Sequence, residues 1–190
     1  KSKGKYKDGK KIGDWEYYFA NNQLQQSGKY NKDKPVGMWK WYYENGQLLR
    51  EESFRKGLED GMMHEYLEDG SVITEGEYID GRKEGPWYYN HGDHKEEGSY
   101  RDDYKHGVWV YTYTTTGEKN FEGNFVDGEP DGKHRFYYEN GKLKREEIYT
   151  MGTKSGAWKH FNRLGELTMT LYFKEGKEYK IDGTKLTDNK

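Results

Sequence analysis

The chain contains no cysteine. That excludes disulfide frameworks, thiolate metal sites and cysteine nucleophiles, and it leaves the redox compartment open. No apolar stretch approaches the ~18 residues of a membrane-spanning helix, so a transmembrane protein is not expected. A secretory apolar segment is also missing. Neither sign of charge predominates: 32 basic and 34 acidic residues are interspersed for a net charge of -2. No basic field exists to draw in a polyanion, so nucleic acid is not an expected partner. The one local excess is Lys1, Lys3, Lys5, Lys7, Lys10 and Lys11 against Asp8. A solvated face is the plainer reading of such a run, and an anionic lipid surface is the functional one. The chain begins at Lys1 without Met, which fits a processed, exported form or a cloned segment and leaves localisation open.

Aliphatic residues are scarce too. Mean hydropathy is -1.37, and 35% of residues are charged. Such a balance normally indicates disorder. Aromatics, however, make up 17% of the chain, and each buried ring removes roughly 150–250 Å² from water. The expected core is therefore built from rings.

These rings occupy fixed places in a repeat. Copies start at Gly4, Gly28, Glu52, Gly76, Gly98, Gly123, Glu147 and Leu171, in steps of 24, 24, 24, 22, 25, 24 and 24 residues. A period of this size marks an array of small supersecondary units. Within a copy, Trp15-Glu16-Tyr17-Tyr18-Phe19 has the composition of a strand. Asn21-Asn22 and its equivalents, such as Asn45-Gly46 and Asn140-Gly141, suit a two-residue hairpin turn with both residues at positive φ. Leu24 to Tyr30 reads as the returning strand. A glycine-containing loop, Lys7 to Gly13 in the first copy, leads on to the next Trp strand and holds Pro35, Pro86 and Pro130 in later copies.

The expected fold is thus all-β: an elongated single-layer antiparallel sheet of tandem β-hairpins over residues 1–173, with a polar C-terminal cap over 174–190. No segment shows a sustained helical period. Alternation puts Trp15, Tyr17 and Phe19 on one face and Tyr18 on the other. Stacked copies give a column Trp15, Trp39, Met63, Trp87, Trp109, His134, Trp158, and a returning-strand column running from Tyr6 and Tyr30 to Phe173. Rings within a column are expected to stack. Register is weakest between about Gly61 and Thr116, where Met63 and Glu65 interrupt the columns, the fourth copy loses two residues and the fifth gains one.

Gly28, Tyr30, Gly37, Trp39, Tyr42, Tyr43, Asn45, Gly46 and Leu48 carry a pattern, G-x-Y…G-x-W-x-Y-Y-x-x-N-G-x-L, that resembles the bacterial variant of the MORN repeat over roughly residues 4–173. The resemblance implies a non-enzymatic array of hairpins used as a protein-interaction or dimerisation scaffold, in some relatives as an antitoxin, and elsewhere in phospholipid binding. A weaker likeness is to bacterial cell-wall-binding repeats, which use aromatic cages. A surface module for cell-wall glycan or anionic lipid is therefore the alternative function.

Catalytic signatures are missing. Gly4-x-x-x-x-Gly9-Lys10-Lys11 lacks the Ser or Thr and the helix of a phosphate loop, and no G-x-S-x-G elbow exists. No catalytic residue, cofactor or metal site is expected. His91-Gly92-Asp93-His94 places two imidazoles and a carboxylate in one turn, but a zinc site needs four ligands, or three and an open position, no further protein ligand is in sequence reach, and a polar hairpin tip is the plainer reading. His134 and His160 read as stacked rings. The candidate partner-binding residues are Tyr18, Tyr42, Tyr137 and Phe161, on the face away from the tryptophans, because Tyr and Trp suit interface hot spots.

Overall fold

The computed structural model describes residues 1–183; residues 184–190 of the expected cap lie outside it. Among the described residues there is no helix, and sixteen strands account for most of the chain. They are β1 (Ser2–Lys7), β2 (Lys10–Tyr18), β3 (Leu24–Asn31), β4 (Lys34–Tyr42), β5 (Leu48–Arg55), β6 (Leu58–Tyr66), β7 (Val72–Ile79) and β8 (Arg82–Asn90), then β9 (His94–Arg101), β10 (Tyr104–Tyr113), β11 (Lys119–Val126), β12 (Glu129–Tyr137), β13 (Leu143–Thr150), β14 (Thr153–Phe161), β15 (Leu167–Lys174) and β16 (Lys177–Gly183). They lie in chain order in one open antiparallel sheet, the single-layer hairpin array expected from the repeat. Two compact units divide the chain, Lys1–Asn90 and His91–Lys190. The division falls inside the stretch of weakest aromatic register.

The turns differ from expectation. Two-residue turns with both residues at positive φ are present, but they join β1 to β2 and its equivalents. Asp8 and Gly9 sit at φ 52° and 74° between the paired residues Lys7 and Lys10. Such turns match the right-handed strand twist. The Asn-Gly type sites instead close three-residue loops. The Phe19 N–H donates to the Gln23 carbonyl at 2.9 Å and the Asn22 N–H to the Phe19 carbonyl at 3.1 Å, and only Asn22 is left-handed (φ 66°). Asn21 is there for a different reason: its side chain accepts the Gln23 N–H at 2.9 Å, as Asn45 does for Gln47 and Asp69 for Ser71, also at 2.9 Å. These are Asx turns.

The expected loop Lys7 to Gly13 is largely strand. β2 starts at Lys10 and carries a bulge at Gly13 (φ 65°), where pairing jumps from Lys3↔Glu16 to Lys5↔Ile12. Pro35, Pro86 and Pro130 consequently lie in β4, β8 and β12 rather than in loops. Pro35 and Pro130 are second residues of their strands, and Pro86 follows the bulge glycine Gly85 (φ 65°). A missing N–H is tolerated at such positions.

Burial follows the Trp column. Trp15, Trp39, Met63, Trp87, Trp109, His134 and Trp158 are 0–6% exposed. Ring contacts run between columns rather than within one, because same-column residues are two strands, ~9.6 Å, apart. In the first unit the chain of contacts is Tyr6–Trp15–Tyr30–Trp39–Phe54, with centroids 4.8–6.3 Å apart and planes at 74–88°. In the second, Phe125–His134–Tyr149–Trp158–Phe173 continues the scheme at 4.7–5.1 Å.

Four indoles of the column, those of Trp15, Trp39, Trp87 and Trp109, also lie against a glycine of the preceding strand. A Cβ on Gly28 would come within 2.0 Å of the Trp39 ring, and on Gly98 within 2.2 Å of Trp109. The repeat therefore begins with glycine because the ring needs that space. The Trp39, Trp109 and Trp158 Nε1–H groups donate to the carbonyls of Lys29, Ser99 and Ile148, each ten residues earlier. His134 reproduces the bond from Nε2 to Asn124 O at 2.7 Å. It is a shape and hydrogen-bond substitute for tryptophan.

Burial holds the His134 pKa below its ordinary value of 6.5, and burial with the nearby Arg145 charge does the same to His160. Both rings are neutral when folded and bind protons more readily when unfolded. Their contribution to stability is complete above pH 6.5 and is lost as pH falls from 6.5 toward the folded values. NMR titration of the imidazoles is expected to place both below 6.5. A value at or above that for His134 would mean the ring is not held as described.

Candidate functional site

The two faces of each strand have different chemistry. On the Trp face, a lysine four residues before the tryptophan lays its ammonium on the rings. Lys11 sits 4.6 Å from the Trp15 centroid and donates to the Tyr17 hydroxyl at 2.8 Å. Lys105 is 3.9 Å from Trp109 and 2.6 Å from the Tyr111 hydroxyl. Lys83 on Trp87 and Lys154 on Trp158 repeat the contact at 4.5 and 4.7 Å. This column was not anticipated from sequence, although the Lys-x-x-x-Trp spacing was there to find. It closes the Trp face with cation–π contacts.

The opposite face carries paired charge. In the first unit, Lys40 Nζ is 3.3 Å from Glu51, and the Tyr66 hydroxyl donates to Glu51 at 3.1 Å. In the second, Arg135 Nε donates to Glu146 at 3.0 Å and its Nη1 approaches Glu122 at 3.7 Å. The four candidate aromatics sit at the ends of this face's strands: Tyr18 in β2, Tyr42 in β4, Tyr137 in β12 and Phe161 in β14. All four are half-buried. Tyr18 donates to Glu16, two residues earlier on the same face, at 2.6 Å. Tyr18 and Tyr42 fall in the first unit, Tyr137 and Phe161 in the second.

Two further residues of this face escaped the reading by aromatics. Met38 and Met62, each directly before the buried residue of its strand, are 47% and 42% exposed. Met38 lies two residues from Lys40 and four from Tyr42 along β4, so the three share a side. Val108, one of the equivalent positions in the second unit, is 60% exposed.

The shortened fourth repeat builds a cluster on the other face. Its hairpin end is a two-residue turn, with the His91 N–H donating to the His94 carbonyl at 2.9 Å and Gly92 at φ 90°. The turn sets the two imidazoles side by side, with centroids 5.0 Å apart. Glu96, two residues on along β9 and so on the same side as His94, points an oxygen at both: Oε1 is 3.2 Å from His94 Nε2 and 3.5 Å from His91 Nε2. Glu96, not the Asp93 of the turn, is the carboxylate that meets both Nε2 atoms, and the His-x-Glu spacing on a strand was its signal. Its Oε2 faces Lys105 Nζ at 3.3 Å. Burial would raise the Glu96 pKa, but the Lys105 charge and the His94 hydrogen bond outweigh it and hold it low. Asp93 accepts from His94 Nδ1 at 2.7 Å. Among the described residues, this is the cluster of His and acidic groups whose ligand atoms lie within 4.8 Å of one another.

Comparison with known proteins agrees with this architecture. The model of the MORN repeat variant matches residues 11–32, 35–56 and 130–150. These segments correspond to the hairpins β2–β3, β4–β5 and β12–β13, and the match is consistent with a MORN repeat family. No curated protein matches the chain.

Proposed function

We propose that this array of MORN-variant repeats is a non-enzymatic scaffold that binds another protein across the face opposite the tryptophans. The observation that carries the reading is the exposure of Met38 and Met62, 47% and 42%, on the face that also carries the half-buried rings of Tyr18 and Tyr42. Methionine and aromatic side chains are enriched where proteins meet, and methionine adapts its shape to a partner. Charged pairs such as Lys40–Glu51 would set orientation and exclude wrong partners. Antitoxin-like inhibition of a toxin is one form such binding would take. Tyr137 and Phe161 are the corresponding positions of the second unit.

Crosslinked capture from the source organism, read by mass spectrometry, tests this. The unaltered chain should retain a stoichiometric protein, and a Met38→Glu, Met62→Glu variant should lose it by at least ~10-fold, the effect of about 1.4 kcal/mol. Equal capture by both would contradict the face assignment. β1 favours a second reading, a module for anionic lipid or cell-wall glycan, because its six residues are all exposed and include Lys3, Lys5 and Lys7. Sedimentation with anionic vesicles and wall preparations at low salt would support it, and no pelleting would remove it.

A further inference from the structure

The loss of two residues from the fourth repeat converts its hairpin end into a tighter turn, and the tighter turn brings together side chains that no other repeat brings together. His91 and His94 flank the turn, and Glu96 Oε1 meets both Nε2 atoms at 3.5 and 3.2 Å. For tetrahedral zinc with bonds of about 2.0–2.1 Å, neighbouring ligand atoms stand about 3.3–3.4 Å apart. Both measured edges lie close to that value.

The tautomer adds a second argument. His94 Nδ1 is 2.7 Å from Asp93, so the Nδ1 proton serves Asp93 and Nε2 turns toward the Glu96 oxygen. A lone pair facing a carboxylate oxygen repels it, so a proton or a cation belongs between them. The His91 nitrogen converges on the same oxygen. One proton bridges one such pair, whereas one cation joins all three atoms. Outside these ligands, Asp93 holds the His94 ring, and Lys105 and Tyr111 hold the other end of the site: Lys105 Nζ is 3.3 Å from Glu96 Oε2 and 2.6 Å from the Tyr111 hydroxyl. A carboxylate behind a ligating imidazole is the usual outer partner in such sites. The ammonium sits on the oxygen turned away from the histidines. Two carboxylates against one ammonium leave the site negative.

We propose that His91, His94 and Glu96 form a three-ligand site for a divalent transition-metal ion of the zinc type, with solvent in the fourth position. The site is independent of the scaffold reading. His91 is half exposed, its side chain 48% accessible, so an ion can enter from solvent, and imidazole with carboxylate is a donor set suited to zinc.

Titration calorimetry of zinc chloride into the chelator-treated full chain tests it. One ion per chain is expected, with His91→Gln and His94→Gln each weakening binding by at least ~10-fold and Asp93→Asn by ~10-fold. His64→Gln, in the first unit, should leave binding unchanged. Thermal midpoints measured without zinc separate lost ligation from lost folding. Zinc should raise the midpoint of the unaltered chain and not that of the His91→Gln, His94→Gln double variant. No heat of binding, binding undiminished in the double variant, or dependence on His94 without His91 would each overturn the three-ligand assignment.

Discussion

Trp109→Ala is expected to destabilise the protein by roughly 3–5 kcal/mol, the range for emptying a fully buried large aromatic site. Trp109 is 0% exposed. Its ring meets Tyr100 edge-on at 5.1 Å and Tyr111 at 6.4 Å. Truncation would also leave the Ser99 carbonyl without the indole donor at 3.0 Å, and the Lys105 ammonium without the ring 3.9 Å away. An unmade buried hydrogen bond alone costs about 1–3 kcal/mol. In a repeat array such a loss weakens the interfaces on both sides of the damaged unit. Among the described residues the sheet has no second layer to collapse into the space. Urea unfolding followed by far-ultraviolet circular dichroism measures the effect, and a loss below about 1 kcal/mol would show that the ring is not the local core.

Gly28→Ala is expected to cost about 1–3 kcal/mol by overpacking, and most of that cost should disappear when Trp39 is also changed to Met. The new Cβ would lie 2.0 Å from Trp39 Cδ2 and 2.2 Å from Cε2. The indole cannot withdraw, because Tyr30 and Phe54 hold it at 4.8 and 6.3 Å. The chain contains the compensated form already. Where the glycine position holds Glu52, the facing residue is Met63, and both are buried, 2% and 4% exposed. Glu52 is paired with Arg50 at 2.8 Å, and burial raises its pKa despite that pair. Glu147 occupies the same position with tryptophan retained. It pairs with Arg145, and Trp158 is the most exposed of its column at 6%. A double-mutant cycle over Gly28 and Trp39 should therefore show a coupling energy of about 0.5–3 kcal/mol. Strict additivity would mean that the glycine is kept for its backbone and not for the space above it.

The architecture was legible because a fixed period reports the same contact many times over. The columns from Trp15 to Trp158 and from Tyr6 to Phe173 could be written down from spacing alone, whereas Met63 and His134 show themselves as substitutes only through their burial. Turn types were not legible, because Asn-Gly serves two unlike geometries. At Asp8-Gly9 both residues are left-handed, whereas Asn45 stays right of that region and uses its side chain to hold Gln47. A bulge also hides in sequence: Gly13 looks like the end of a loop, yet it bends a strand that has already begun at Lys10.

The candidate sites were less accessible still. Tyr18, Tyr42, Tyr137 and Phe161 follow from residue type and from their place opposite the tryptophans, and neither tells of the exposure at Met38 and Met62. The histidines were read as a turn, whereas Glu96 reaches them from the strand that follows. Such a grouping depends on which residues a strand turns to one side, and on a turn whose tightness only the missing two residues reveal.

If one face of this sheet holds the fold and the other meets a partner, Trp39 and Tyr42, two residues of the same strand, must differ in what they contribute to stability. Side-by-side urea unfolding should give a loss of about 3–5 kcal/mol for Trp39→Ala and less than half of that for Tyr42→Ala. Equal losses for the two variants would contradict the division between the faces.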